Sequence, residues 1–468
     1  MALPSGNARL HSIEGQRRHV LAHPLARGIA HEEVARHFAA LPLGRFPSVA
    51  YSRRGRAPLI QPRGGVPLFE AQLNLTRALS EAGADFIPLT IDSYTRQNQY
   101  ETAAQLLRRS EEEDKSYLNG YPLVCHGYEV TRQLYEGLDK PVSLRHGTPD
   151  ARLLVEVALA SGIAEIEGGG LCYCLPYSEG FPLDRCLLYW QYVDRLCAEY
   201  STAERPIHRE SFGPLSATLV PPAIAIAIEI IEMLLAAEQG VTSFAVSFGQ
   251  TGSFNQDVAT ARVLRRLARE IADEFGFERL MLRLVYHQWM GQFPMQRERA
   301  AALIATSALT AGLIDVDKIV VKTVDEAFGV PRPEANAEAV ETVRYVLKTF
   351  SVPGSLESAD IDAEDALLDS EARSILRTIF ALSGDAFWES VYRAFQLGYL
   401  EVPFSPHSDN ANRLLSMRDS NQSIRIVNPG SVPISAPDLE RERLLLQSRA
   451  DRSQKTYQQL LTDIALMV

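Results

Sequence analysis

The chain has few cysteines and no pattern that would pair them. Its five, Cys125, Cys172, Cys174, Cys186 and Cys197, are odd in number and confined to one third of the sequence. That distribution argues against a disulfide framework and fits a reducing cytoplasm. Cys172-x-Cys174 has neither the spacing nor the second pair that a zinc knuckle needs. A basic surplus is missing as well, and a formal net charge of −11 argues against nucleic acid as a partner. No apolar run reaches the roughly 20 residues of a membrane span. The most hydrophobic stretch, residues 220–237, carries Glu229 and Glu232 and reads as a buried helix beginning after Pro221-Pro222. The N-terminus mixes Arg, His, Pro and Gly without an apolar core, so no secretory signal is expected. Glu167-Gly168-Gly169-Gly170 lacks the Gly-Lys-Ser/Thr of a phosphate loop, and no nucleophile elbow stands out. His146, His208 and His287 are far apart and show no metal spacing; they read as hydrogen-bonding groups, and no metal site is expected.

What is present is a regular alternation. After an Arg- and His-rich N-terminal extension (1–57), with a helix expected near His31–Leu41, short β-prone runs alternate with amphipathic helices. The runs are Pro58–Gln61, Ala84–Leu89, Pro122–Cys125, Val142–Leu144, Ala164–Ile166, Ile207–Arg209, Ser243–Ser247, Met281–Val285 and Lys318–Val321. Such alternation implies an α/β fold with a parallel sheet. A (β/α)8 TIM barrel over residues 58–350 is the expected architecture, since 468 residues suit a barrel of about 250 with extensions. Nine runs exceed the eight of a closed barrel, so one lies outside it or is not a strand. On pattern alone a doubly wound open sheet stays open too. Residues 351–468 read as a mainly helical C-terminal extension: helices at Ala363–Ala381 and Trp388–Gly398, a Pro-, Ser- and Asn-rich loop from Pro403 to Pro437, and a charged helix near Leu439–Lys455.

The strand ends favour the barrel. The runs end on Arg63, Arg96, His126, Arg145-His146, Glu167, Glu210, Gln250, His287 and Lys322, and closure would bring these groups to one mouth. The stretch Pro141–Tyr177 holds the densest set. One short run there delivers Arg145 and His146, Thr148-Pro149 suits the N-cap and first turn of a helix through about Ser161, and a second run delivers Glu167, with Tyr173 and Tyr177 close behind. A guanidinium matches a carboxylate with a planar fork, so Arg63, Arg96 and Arg145 together suit a dicarboxylic acid, and Glu167 could hold an ammonium group. Taken singly, each arginine could equally sit in a structural ion pair.

Several of these segments carry a resemblance. Gln61-Pro-Arg-Gly-Gly, Thr90-Ile-Asp-Ser-Tyr-Thr-Arg-Gln-Asn, Leu118-Asn-Gly, Leu144-Arg-His-Gly-Thr-Pro-Asp, Glu167-Gly-Gly-Gly, Phe212-Gly-Pro-Leu-Ser-Ala-Thr-Leu-Val-Pro-Pro, His287-Gln-Trp-Met-Gly-Gln-Phe-Pro and Val320-Val-Lys-Thr together resemble the large, epsilon-type subunit of glutamate mutase (methylaspartate mutase). The resemblance runs from about Ala57 to the C-terminal tail. It implies a (β/α)8 barrel, adenosylcobalamin as cofactor and reversible rearrangement of L-glutamate to (2S,3S)-3-methylaspartate. It also implies substrate contacts at Arg63, Arg96, Arg145, His146, Glu167, Tyr173 and Tyr177, with Glu167 and Arg145 catalytic. Cofactor contacts are implied at Gly65, Asn119, Pro176, Phe293, Lys322, Glu326 and Val330, with Lys322 and Glu326 on the adenosine ribose.

Because a thiol hydrogen quenches carbon radicals, Cys172 and Cys174 are expected to point away from the reacting centre. The Asp-x-His-x-x-Gly signature, whose histidine ligates cobalt in this enzyme class, occurs nowhere in the chain. The resemblance therefore implies a small cobalamin-binding sigma-type subunit that supplies the cobalt ligand and caps the mouth. A homodimer of this chain within a heterotetramer, and no activity of the chain alone, follow from the same resemblance.

Overall fold

Eight of the nine β-prone runs become parallel strands: β1 (Leu59–Gln61), β2 (Ile87–Thr90), β3 (Val142–Arg145), β4 (Glu165–Glu167), β5 (His208–Glu210), β6 (Ser243–Gly249), β7 (Met281–His287) and β8 (Lys318–Val320). The structure, a computed structural model, describes residues 13–213, 219–350, 356–447 and 462–467; positions 214–218 of the Phe212–Pro222 segment lie outside these. Strand order is β1-β8-β7-β6-β5-β4-β3-β2, and each neighbouring pair is parallel. The two ends of that order are tied together, Asp85 N–H donating to the Ile60 carbonyl and Thr90 N–H to that of Gly64, each at 2.9 Å. The sheet is thus an all but closed (β/α)8 barrel. Pairing of β1 with β8 removes the open-sheet alternative.

The run that is not a strand is Pro122–Cys125. Tyr121 makes one parallel bridge to Ile91, and a helix, Leu123–Gln133, follows at once. Pro122 has no N–H to continue a ladder, so a run that reads as apolar strand turns helical after a single bridge. His126 therefore sits in a helix, its Nε2 2.8 Å from the Pro67 carbonyl, and does not end a strand. The helix expected to start at Thr148 begins later, at Arg152. Asp150 terminates the loop before it, accepting from the Arg152 N–H at 3.3 Å and gripping the Arg152 guanidinium at 2.7 and 2.8 Å.

Strand side chains alternate between two faces. Val142, Leu144 and Ile166 belong to the apolar core under the helices, whereas Ser143, Arg145, Glu165 and Glu167 turn into the barrel. Lys318 on β8 shows this, since its Nζ meets Glu165 on β4, Glu210 on β5 (2.5 Å) and Gln61 on β1 (2.6 Å), which requires crossing the lumen. Barrel interiors are ordinarily filled with branched apolar residues. Here Ala245, Val285 and Val320 form a small apolar cluster of their own, and much of the rest is charged. The N-terminal ends of the strands are plugged by Tyr51, on the helix Pro47–Ser52, whose ring lies 5.5 Å from Phe86 and 5.4 Å from His208.

The helix at the hydrophobic stretch, Pro222–Glu238, is buried from Pro222 to Ala237. A helix apolar all round must be covered on every side, and the C-terminal helix Ala359–Phe380 supplies the outer cover by packing on it and on Phe254–Glu274. A second C-terminal helix, Phe387–Leu397, follows. The segment expected to be loop from Pro403 to Pro437 contains a hairpin, β9 (Leu415–Arg418) and β10 (Ile424–Asn428), short strands masked by the Pro-, Ser- and Asn-rich sequence around them. The charged helix spans Ala436–Gln447; the rest of its expected range lies outside the described residues. Among the described residues no helix is long and apolar enough to cross a membrane.

Arg425 fastens this extension, pairing with both oxygens of Glu364 (2.6 and 2.9 Å) and with Asp419 (2.8 Å), all buried. Removing one partner of a buried pair strands the other charge, at about 3–5 kcal/mol. Arg425→Ala should lower the unfolding free energy obtained from urea titration by an amount of that order, and Arg425→Ala/Glu364→Ala should lose less than the two single losses added. An unchanged free energy in Arg425→Ala would show that these pairs do not hold the extension.

Candidate active site

β3 and β4 are three to four residues long, so each side chain that turns inward is fixed by its place in the register. Arg145 closes β3, Glu167 closes β4 and Glu210 closes β5; Glu167 and Glu210 are paired in register. Arg145 reaches both carboxylates, Nη2 to Glu167 Oε1 at 2.6 Å and Nη1 to Glu210 Oε1 at 2.7 Å. Glu210 Oε2 in turn meets Lys318 Nζ, which is also bonded to Glu165 and Gln61, and Ser143 donates to Glu165 at 3.0 Å. A continuous run of opposite charges thus climbs the lumen from Glu165 to Glu167.

Burial raises Glu165 and Glu167 to about 7, against the pull of Lys318 on the first and Arg145 on the second. Glu210 goes the other way. Burial would raise it, but Lys318 and Arg145 outweigh that and hold it well below the usual carboxylate range. One carboxylate between two cations stays ionised, and those at either end hold protons more readily.

Above this run, Arg63 and Arg96 face a cavity of about 220 Å³. Neither has a carboxylate within ion-pair distance among the described residues. Arg63 Nη1 lies 3.9 Å from Met290 Sδ, and Arg96 Nε donates to the Ile91 carbonyl at 2.6 Å. Burial and then Arg63 lower the Arg96 guanidinium. Gly64, Gly65, Thr90, Asn119, Glu326, Gly329, Val330 and Pro331 complete the lining. Gly65 is required by space, since a Cβ there would fall 2.1 Å from the Thr90 carbonyl oxygen. Lys322 Nζ donates to Glu326 at 2.6 Å; burial and then Arg63 push its ammonium down to about 8.

One wall of the mouth is aromatic. Tyr173, buried, sits with its ring 4.8 Å from His146, 6.1 Å from Tyr177 and 5.5 Å from Phe212. His146 stacks on Trp190 at 5.7 Å and accepts the Thr148 N–H on Nδ1 at 3.2 Å; burial, Arg96 and Arg209 hold its imidazole well below its ordinary value. Tyr177 is 43% exposed, at the rim. Gly168, with φ +117°, makes the turn that brings this wall round, and a Cβ on it would run into Tyr173 and Trp190.

Of the residues singled out in the sequence, Arg63, Gly65, Arg96, Asn119, Glu326 and Val330 line this cavity, whereas Arg145, His146, Glu167, Tyr173, Tyr177, Lys322, Pro176 and Phe293 do not. Arg145 and Glu167 lie in the charged run beneath it, and His146, Tyr173 and Tyr177 form the aromatic wall. Arg145 and Glu167, read separately as a carboxylate clamp and an ammonium site, are partners of each other in the ligand-free chain. Neither cysteine lines the cavity; Cys174 Sγ faces His407 Nε2 at 3.2 Å in the C-terminal extension. Sequence reasoning missed Glu165 and Lys318. The available signal was a charged residue at the start of each of two short strands, in phase with the inward positions.

The fold and the site define a (β/α)8-barrel protein with a buried, charged mouth in which Arg63 and Arg96 have no carboxylate partner among the described residues. Residues 47–468 match the model of the methylaspartate mutase E chain family, and the chain belongs to that family. It is 42% identical over 421 residues to the glutamate mutase epsilon subunit of Halobacterium salinarum, covering 90% of this chain and 87% of that one. Against the epsilon subunit of Escherichia coli O157:H7 it is 41% identical over 408 residues (87% and 85%), and against that of Treponema denticola 39% over 407 (86% and 84%).

A carboxyl whose folded pKa is raised stabilises the fold fully below its unfolded pKa, and that contribution is lost as pH rises through the folded value. For Glu165 the window runs from about 4.3 to about 7. Glu165→Gln, which keeps an acceptor for Lys318, should flatten the fall in stability across that window, measured by urea unfolding at stepped pH. Parallel profiles for the two proteins would show that Glu165 is ionised throughout.

Proposed function

We propose that this chain is the large catalytic subunit of a glutamate mutase, interconverting L-glutamate and (2S,3S)-3-methylaspartate. The observation that carries the reading is that Arg63 and Arg96 face the cavity with no carboxylate within ion-pair distance among the described residues, beside an Arg145 that is paired with Glu167. Guanidinium forks so placed suit the two carboxylates of an amino dicarboxylate, and Glu167 suits its ammonium.

Arg63 and Arg96, having no carboxylate partner among the described residues, bind those of the substrate with their planar forks. As the acid enters, its ammonium takes up the charge of Glu167, and the fork of Arg145 that Glu167 held is released to a substrate carboxylate. The ion pair is exchanged rather than broken, which limits the desolvation of either member. Tyr173 and Tyr177, with His146 behind Tyr173, close the side of the site. Holding both ends of the carbon skeleton keeps separated fragments in register, an orientation effect of several kcal/mol, and the closed wall excludes water.

The residues present fit adenosylcobalamin on its adenosyl side. Gly65 lines the cavity with backbone alone, packed against the Thr90 carbonyl, and the Lys322–Glu326 pair offers a donor and an acceptor to a ribose diol beside Asn119 and Val330. Pro176 and Phe293 would contact the cofactor from outside that cavity. Adenosylcobalamin, when bound, supplies the homolytic cobalt–carbon chemistry that starts a radical rearrangement. With no Asp-x-His-x-x-Gly in this chain, the cobalt ligand comes from a small sigma-type partner subunit, two of each chain forming a heterotetramer in the cytoplasm.

The purified chain with adenosylcobalamin and L-glutamate should form 3-methylaspartate only when a small subunit of the family is added. Arg145→Lys, which keeps the charge and loses the fork, should reduce turnover by about 100-fold or more, the order expected when a positioning contact is lost. Product from the chain alone, or full activity of Arg145→Lys, would refute the respective assignment.

A further inference from the structure

His287 is the last residue of β7 and turns into the lumen beside the ends of β4 and β5. It is 1% exposed, and neither of its ring nitrogens has a hydrogen-bond partner among the described residues. Buried polar atoms without partners are uncommon, and each asks for an explanation. Burial and then the nearby Arg145 hold the imidazole well below its ordinary value, so it is neutral, with one nitrogen free to accept and the other to donate. One ring nitrogen and one carboxylate oxygen each from Glu167 and Glu210 lie within 4.8 Å of one another.

Three acceptors around a single centre could hold a metal ion or an ammonium group. Arg145 decides between them. Its guanidinium already sits 2.6 and 2.7 Å from Glu167 and Glu210, and Lys318 lies 2.5 Å from the second oxygen of Glu210. A divalent ion would have to share these carboxylates with two fixed cations. A primary ammonium carries one charge and three N–H donors. With N–H···O bonds of about 2.8 Å in tetrahedral directions, its acceptors stand about 4.6 Å apart, the separation this cluster allows.

Resting on the mutase reading, we propose that His287 and Glu210 complete, with Glu167, a three-point seat for the substrate ammonium, making His287 a residue that selects an amino dicarboxylate over the same acid without its amine. The acceptor nitrogen takes one N–H of the substrate. Glu210, held ionised between Arg145 and Lys318, supplies a fixed negative charge, and Glu167 supplies the third acceptor.

Titration calorimetry of the complete complex of both subunits with adenosylcobalamin tests this without relying on turnover, using L-glutamate and glutarate, its amine-free analogue. His287→Leu should weaken L-glutamate about tenfold or more, the order for one hydrogen bond to a charged group, and leave glutarate within about twofold. His287→Asn, which restores an acceptor, should recover part of the loss. Retention of adenosylcobalamin and of the thermal transition certifies that both variants are folded. Equal weakening of the two acids, or no weakening of either, overturns the seat. If the unaltered complex binds neither acid, the mutase reading falls and this inference with it; if it binds glutamate and the variants do not discriminate, this inference falls alone.

Discussion

The buried pairing of Arg145 with Glu167 and Glu210 is the constraint on which the rest of the site depends. A guanidinium at 5% side-chain exposure is tolerated only because two carboxylates meet both of its arms, and Glu210 is tolerated only because Lys318 meets its other oxygen. Each charge is held by the next, so the chain cannot be shortened without stranding a member. The arrangement leaves Arg145 with one arm on a carboxylate that is itself fastened to Lys318, and one arm on Glu167, whose proton affinity is raised.

This charged lumen changes what stabilises the barrel. Few apolar side chains fill its centre, so cohesion comes from the layer between strands and helices and from the segments at the two ends. The N-terminal helices plug the lower end through Tyr51. The C-terminal extension grips the loops of the upper end. Ser405 donates to the Leu175 carbonyl at 2.7 Å and His407 Nε2 lies 2.8 Å from that of Phe181, on the loop after β4. Gln256, at the start of the helix after β6, exchanges bonds with the Ile424 backbone. Loops that carry Tyr173 and Tyr177 are thereby fixed from outside, which an active site built on loops requires if its groups are to be preorganised.

Much of the fold was legible because its signals are local. Eight strands, the helix after Pro221 and the two long C-terminal helices follow from hydrophobic periodicity and from proline. Pro122–Cys125 misled because an apolar tetrapeptide reads alike as strand or helix, and only the neighbouring register shows that Tyr121 makes a single bridge. The hairpin of β9 and β10 was hidden for the opposite reason. Its two strands are only four and five residues long and lie within a Pro-, Ser- and Asn-rich stretch that reads as loop, and they are held by contacts with Gln256 and Glu364, far away in sequence. At the site, Arg63, Arg96, Arg145 and Glu167 were visible as charges at strand ends. That Arg145 and Glu167 are each other's partners was not, since two residues 22 apart carry no local mark of contact.

The sequence by itself determined the alternation of strands and helices, the set of polar groups delivered to the strand ends and the family to which the chain belongs. These depend on residue type and spacing along the chain, which covalent order specifies. Only the tertiary structure decided which of those groups neutralise one another and which are left unpaired. Barrel closure sets the distances across the lumen, and electrostatic energy depends on distance and burial rather than on order. Lys318 can serve Glu165 and Glu210 because closure carries β8 opposite β4 and β5. Arg63 and Arg96 have no carboxylate within ion-pair distance among the described residues, because the same closure brings none of these to them.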